Sequence, residues 1–548
     1  MAVIPPPHIS AHDKELHTKT DNANHTEKRS FDHVERVQGT IRLYDDLGNV
    51  RKIPVPTTSP NDPLNFPSWK RVMILVTLVV YGIAGFGLAQ SAALFFNDLI
   101  PEYLEQTRGQ FNPAKIANLA SYPSLCMGIG NFLSVPLSML VGRRPVFLFN
   151  NCLMIASCVW AAESQSYESH LASRCVQGLT CGISDCLLPL IVLDITFLHR
   201  RGLWMSIYWA CTAAGSTLLL VAVPFVVQGA YNNWRFNYWF WTAFASFSLV
   251  FSLVFLPETL YARPPAMTDG LLVVTDEYGN VTFFDGDDAD IRDNVVVAGD
   301  DQTRSAVYNQ LVRVHVQPRG FKHFLKAYLE LAKALVIPSI FWVLLLNACF
   351  FGGLVSQSLT YAQVLAAPPW LFGNAEVGTA QVGSAIGALV ALVVVGLTVD
   401  PVSQFLTRKN KGMREPEHLL PTFFLPVLFS FLGLLVYGIV AGNPAHYKWI
   451  SLHISFALYY CGFVSGSAVT GVWVGEVMPH TAGAALVLVC GGRNVLSFAI
   501  SNEFPAWIAA TNFQTAYITL GGITLAIAAF AIPLYFVNKT FRRYYSKF

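Results

Sequence analysis

Long apolar runs, each about the length of a membrane span, recur along the chain between shorter polar stretches. Six fall at roughly 72–96, 115–139, 145–162, 171–195, 204–228 and 237–256. Six more fall at roughly 335–363, 377–399, 421–441, 447–475, 482–505 and 513–538. A hydrocarbon layer of ~30 Å takes about 20 mostly apolar residues per helix, so each run predicts one transmembrane span. The pattern predicts an all-α membrane protein with 12 transmembrane helices in two pseudo-symmetric six-helix halves.

The polar stretches set the remaining boundaries. Residues 1–68 form an N-terminal segment, expected to be largely disordered, in which His, Asp, Lys and Asn dominate positions 8–37. It lacks the apolar core of a cleaved signal peptide, so the first span is expected to direct insertion. Within it, Ile41–Tyr44 and Val50–Ile53 read as a hairpin. The first half covers 69–260, the central loop 261–333, the second half 334–538 and a basic tail 539–548. The central loop holds an acidic run at Asp285, Asp287 and Asp288, preceded by a hairpin pattern in which Leu271–Thr275 and Val281–Phe284 flank a polar turn.

Composition changes this picture only by sharpening it. The chain is 53% hydrophobic and 13% charged, about half the charged fraction of soluble domains, so lipid is the solvent for most of it. A formal net charge of +2 without a basic, aromatic-interleaved patch excludes nucleic acid as a partner. The ten cysteines lie inside apolar runs and read as small buried hydrophobes, not as disulfides or a metal site. There is no Gly-x-x-x-x-Gly-Lys-Ser/Thr run to hold ATP, and no triad or metal-ligand spacing that would suggest an enzyme.

Basic residues fix the expected orientation, because Lys and Arg are retained on the cytoplasmic side. Arg143, Arg144, Arg200, Arg201, Arg408, Lys409, Lys411, Arg414, Lys539, Arg542, Arg543 and Lys547 all fall on one face. The other carries little beyond Arg108, Lys115, Arg235 and Lys448. Both termini and the central loop are therefore expected in the cytoplasm, and the sequons at Asn24, Asn280 and Asn538 are expected to stay unglycosylated. Two six-span halves joined by a loop form the general pattern of transporters that rock around a site near the midplane.

Ionisable groups at that depth are costly, about 3 kcal/mol on insertion scales, so the few present are informative. Asp185 lies eleven residues below Arg174 in the fourth span, about 16 Å down a helix, and Arg493 and Asn494 lie about 15 Å into the eleventh. Asp185 and Arg493 are thus candidates for a central charge pair between the halves. The alternatives are a purely structural bridge, or a proton-carrying carboxyl whose partner arginine also receives an anionic substrate group. Asp194, with Arg200 and Arg201, is expected to make end-of-span contacts, while Glu258, Asp400 and Glu476 read as solvated caps.

Several motifs resemble the fungal twelve-span branch of the major facilitator superfamily known as drug:proton antiporter-like. Asp62-Pro63-Leu64-Asn65-Phe66-Pro67 is similar to its approach to the first span. Gly142-Arg143-Arg144 resembles the end of its loop signature, with Met139 and Leu140 where the family's charged residues stand. Arg174-Cys175-Val176-Gln177-Gly178 and Asp194-Ile195-Thr196-Phe197-Leu198-His199-Arg200-Arg201-Gly202 resemble the fourth span and its exit. Pro257-Glu258-Thr259-Leu260 and Arg414-Glu415-Pro416-Glu417 match further family positions. The fifth span offers Ala213-Ala214-Gly215-Ser216 in place of the antiporter Gly-Pro-x-x-Gly-Gly run.

The resemblance implies a major facilitator fold whose first, fourth, seventh and tenth spans line a cavity. It makes Gln90, Asn347, Gln357, Tyr361, Gln363, Tyr459, Tyr460 and Asn494 the expected substrate contacts. Gly142, Arg143, Arg144, Arg174, Gln177, Gly178, Asp194 and Arg201 become the expected gating and motif residues. It further implies a monomer in the plasma membrane, with no cofactor and a proton gradient as energy source, exporting a small amphipathic toxin, drug or secondary metabolite. Arg263-Pro264-Pro265 and Thr275-Asp276-Glu277-Tyr278-Gly279 resemble uptake carriers for cationic or nitrogenous nutrients, which is the second reading. A transporter-like nutrient sensor is the third.

Overall fold

Twelve helices in the computed structural model are long and apolar enough to cross a membrane. The structure describes residues 39–44, 48–57, 62–230, 233–261, 265–268, 271–275, 281–285 and 321–545. Spans 1 to 6 are Ser68–Phe95, Lys115–Val141, Arg143–Ala162, Tyr167–Asp194, Leu198–Val227 and Arg235–Phe255. Spans 7 to 12 are Pro338–Ala366, Glu376–Lys409, Pro416–Gly442, Ile450–Val477, Ala482–Ala510 and Phe513–Tyr544. Spans 4, 7 and 10 have the most thoroughly buried windows, whereas spans 6 and 12 present most of their surface outward.

Local chemistry sets the ends. Span 7 starts three residues later than its apolar run because Pro338 takes the first helical position, where its missing N–H costs nothing. Span 8 runs about ten residues past its apolar stretch, through Asp400 to Lys409. Span 4 is not one continuous helix: Gly182–Ser184 tightens to 3-10 geometry, and the α-helix resumes at Leu187. Asp185 stands at that break.

Spans 2 and 3 are joined by one residue, Gly142, at φ +115°. A Cβ there would lie 2.6 Å from Glu258 Oε2. The Glu258 carboxylate accepts the Arg143 and Arg144 amides at 3.0 and 3.1 Å, capping the N-terminus of span 3 where negative charge is favoured. Substituting Gly142→Ala is expected to cost ~1–3 kcal/mol through strain and the displaced cap, read as a lowered melting temperature in detergent.

Residues 39–44, 48–57 and 62–68 of the 1–68 segment are described, and the first two stretches pack against the ends of the spans. Leu43, Ile53 and Val55 are buried. The expected hairpin reduces to a Tyr44–Val50 bridge and an Arg51 N–H donating to Leu43 O. Ile41–Arg42 pairs instead with Met413–Arg414, between spans 8 and 9. The short apolar patches, too small for a core of their own, are satisfied by the ends of the spans. Positions 1–38 lie outside the described residues.

In the central loop, Leu271–Thr275 and Val281–Asp285 form the antiparallel pair that their pattern predicts, in the register Val273↔Phe283. An amphipathic helix, Phe321–Leu335, follows, and its Tyr328 hydroxyl donates to Phe132 O of span 2. The acidic run beyond Asp285 lies outside the described residues. All ten cysteines are free, but they are not uniformly buried. Cys126, Cys175 and Cys211 are half-buried and Cys152 is exposed on the outward side of span 3. An apolar run of this kind covers both helix faces, so membership of it does not fix burial.

Candidate functional site: a charge pair joining the two halves

Asp185 and Arg493 meet. An Arg493 Nη2 proton is donated to Asp185 Oδ1 at 2.7 Å, and Asn494 Nδ2 donates to Asp185 Oδ2 at 2.9 Å. The pair is fully enclosed, at 0% and 1% side-chain exposure. Asp185 belongs to the first half and Arg493 to the second, so the bond spans the line along which the halves would part.

The guanidinium has a second set of partners. It stacks over Phe351, Trp209 and Phe463 at 5.2, 5.5 and 5.9 Å, and Nη1 donates to Ser467 Oγ at 3.3 Å. Cation–π contacts strengthen when desolvated, to ~2 kcal/mol or more each. They offset part of the cost of removing a cation from water, which an ion pair alone seldom recovers. Residues from spans 4, 5, 7, 10 and 11 therefore converge on one charge. Among the described residues, Trp209 Nε1 and Asn494 Oδ1 have no hydrogen-bond partner.

Phe351 also lines a cavity of about 40 Å³ between spans 1, 2 and 7, together with Phe86, Gln90, Ser124, Met127 and Ser358. That space has room for a few waters at most. Gln90 accepts from the Tyr460 hydroxyl at 2.7 Å, a further bond between the halves. Gln357 is buried with neither side-chain atom paired. Asn347 donates to Thr470 Oγ1 at 2.8 Å, and Tyr361 is buried beside Phe456. Tyr459 instead holds span 7 through the Phe350 carbonyl at 2.5 Å. Gln363 is exposed at the far end of span 7, which removes it from the buried interior. Its place near the end of the apolar run left the side chain beyond the packed region.

Arg174 makes no ion pair among the described residues and instead serves mainly backbone. It donates to Leu88 O and Ala89 O at 2.7 Å, to Leu119 O at 3.1 Å and to Gln177 Oε1 at 2.7 Å. Gln177 passes the contact on to Ser157 O, and Gly178 lets span 4 lie against the Pro123 carbonyl of span 2. This cluster ties spans 1 to 4 together.

At the basic face, where end-of-span contacts were expected of Asp194, it pairs with Arg143. Arg144 reaches Leu253 O at 3.1 Å, and Arg201 lines a narrow pocket with Arg414 and Glu476. Glu476 is not a solvated cap: it forms a buried bidentate pair with Arg414 at 2.9 and 2.6 Å. Burial works against the Arg414 charge, and Glu476 more than restores it, raising its affinity for the proton. Asp400 is a cap, but one that crosses between halves, accepting the Gly202 and Leu203 amides of span 5 at 3.2 and 3.0 Å.

The aromatic cage was missed by sequence reasoning. With 12 tryptophans and 39 phenylalanines in the chain, nothing in their spacing marks Trp209, Phe351 and Phe463 as a group. Only a residue already suspected, Arg493, would lead to them.

A two-half helical membrane protein with a buried charge pair on its dividing line is the architecture of a secondary transporter. The Major Facilitator Superfamily model matches residues 72–502, and the chain belongs to that family. Protein HOL1 of Saccharomyces cerevisiae is 23% identical, over 93% of this chain and 96% of its own length. Efflux pump radE of Floropilus chiversii is also 23% identical, over 86% and 81%. Among solved structures, the human organic anion transporter MFSD10 covers 86% of this chain and 100% of its own at 16% identity and TM-score 0.54. The proton:xylose symporter XylE of E. coli covers 85% and 96% at 16% identity and TM-score 0.57. These structures share the fold, which is that of major facilitator transporters.

Proposed function

We propose that this chain is a proton-coupled exporter of a small amphipathic compound such as a toxin, drug or secondary metabolite, within the drug:proton antiporter-like branch. The observation that carries the reading is the Asp185–Arg493 bond across the halves. Protonating Asp185 removes one charge of the pair, frees the Arg493 guanidinium within its aromatic cage, and so weakens the contact that keeps the centre closed. A ligand pocket needs ~300–1,000 Å³, far more than the cavity of about 40 Å³ beside Phe351, so admitting a substrate there requires the halves to part. The aromatic and unpaired polar groups around Arg493 and Gln357 suit a ligand with both apolar and hydrogen-bonding surface. The similarity to efflux pump radE supports the direction.

In this reading the basic face is cytoplasmic, both termini lie inside, the membrane is the plasma membrane, and one chain forms a complete transport unit driven by the proton gradient. The test is flux of a panel of radiolabelled amphipathic compounds in intact cells and inverted vesicles. Gradient-dependent loss from cells and uptake into vesicles is the expected result. Equal flux with the gradient collapsed defeats the coupling, and accumulation by intact cells defeats the direction.

A further inference from the structure

We propose that residues 39–44 and 48–57 form a strap that holds the basic ends of the two halves together, and that one end of it must release before the centre opens on that face. The proposal rests on the halves rocking as in other members of the family, and not on any particular substrate or coupling ion.

One end of the strap is fastened to the second half. Ile41–Arg42 adds an antiparallel strand to Met413–Arg414, and the Leu43 amide donates to Gly412 O at 2.9 Å. The Arg408 guanidinium lies 5.2 Å over the Tyr44 ring and its Nε donates to the hydroxyl at 3.3 Å. Gly39, at φ +81°, presses against the Glu476 carbonyl so closely that no Cβ would fit. The other end is fastened to the first half and the chain just after it. The Leu198 amide donates to Ile53 O at 2.8 Å, the Val55 amide to Met267 O at 3.1 Å, and Thr57 Oγ1 meets the Tyr261 hydroxyl at 3.1 Å.

Between the two ends, Ile41, Leu43, Tyr44, Ile53 and Leu198 form an apolar cluster separate from the main core. Leu198 supplies the first half's contribution to it. Beneath the strap runs the seam the halves must open. There Asp400 of span 8 holds the Gly202 and Leu203 amides, and Met205 and Leu193 lie against Gly471 and Gly475.

Hydrogen bonds of this kind fail beyond about 3.5 Å. Backbone bonds from one short segment to both halves cannot all persist while Gly202 and Asp400 separate. The strap therefore favours the state closed on the basic face. Its own hold is limited to a few backbone bonds and a small cluster, which places it among the elements that open locally without global unfolding.

The test uses the full-length protein in lipid nanodiscs, with hydrogen exchange at the Gly202 and Leu203 amides as readout of the seam. Leu43→Ser with Ile53→Ser removes the cluster and leaves the spans untouched. Exchange at the two amides is expected to rise about 5- to 30-fold, with the melting temperature of the helical body retained. In the reverse arm, Arg42→Cys/Met413→Cys and Ile53→Cys/Leu198→Cys are combined. Oxidation by copper phenanthroline, which takes up the two electrons of each new disulfide, is expected to slow exchange at the same amides below the reduced level. Oxidised wild type controls for the native thiols. Unchanged exchange at Gly202 and Leu203 in both arms, while the Leu43 amide responds, overturns the proposal. Both arms read the seam and not flux, so a failure of proton-coupled export would leave this result standing.

Discussion

Asp185→Asn is expected to leave a folded protein in the membrane that no longer concentrates its substrate. Asparagine keeps the shape of the side chain, and its carbonyl oxygen still accepts the Arg493 bond that Asp185 Oδ1 now receives. The guanidinium also retains Ser467 and its three aromatic faces. What the variant loses is the ability to bind and release a proton between the halves, and with it any differential effect of the gradient on the closed and open states. Coupling free energies of 1–3 kcal/mol correspond to about 5- to 150-fold, so gradient-driven accumulation should fall by roughly that factor, to the level of passive exchange. Surface abundance and melting temperature, measured together with counterflow, separate loss of coupling from loss of protein. Normal concentrative transport by the variant would remove Asp185 from the mechanism.

The number of spans and the existence of the central pair were legible because lipid makes both conspicuous. Twenty apolar residues have few other uses, and a carboxylate such as Asp185 at bilayer depth has no water to hide in. The break in span 4 at Gly182–Ser184 was not legible, because glycine and serine are as common in packed membrane helices as at their interruptions. Span 8 was read too short because its last turns leave the hydrocarbon, where hydropathy stops reporting helix although the backbone continues. The Arg414–Glu476 pair was hidden for the opposite reason: charges just past an apolar run read as solvated, and chain that helps to cover them, around Gly39, Ile41 and Ile53, lies more than 350 positions earlier in the sequence. Long-range coverage of that kind leaves no local pattern. The cage around Arg493 is a convergence of three distant spans and is equally silent, whereas Asn494 was visible only by standing next to a suspicious arginine.

Arg174→Leu is expected to fail differently, by loss of folded protein. Pro123 has no N–H, so the Leu119 carbonyl four residues earlier has no helical donor, and Arg174 Nε supplies one at 3.1 Å. The Leu88 and Ala89 carbonyls lie where span 1 passes into the 3-10 turn Ala92–Phe95, and the two terminal nitrogens of the same side chain serve them. A cation at the closing turn of a helix also opposes its dipole favourably. Removing the guanidinium leaves the Leu119 and Ala89 carbonyls and Gln177 Oε1 short of a donor, while Leu88 O keeps the Ser91 hydroxyl at 3.0 Å. At ~1–3 kcal/mol for each unsatisfied group, partly relieved by relaxation, the expected loss is on the order of 3–5 kcal/mol, enough to exhaust the stability of a marginal fold. Arg174→Lys should rescue only in part, because an ammonium cannot present donors to two helices in the fixed fork that guanidinium provides. Yield of monodisperse protein and melting temperature should therefore rank wild type, Lys and Leu in that order. A Leu variant with wild-type yield and melting, but without gradient-driven transport, would move Arg174 from the scaffold into the coupling machinery.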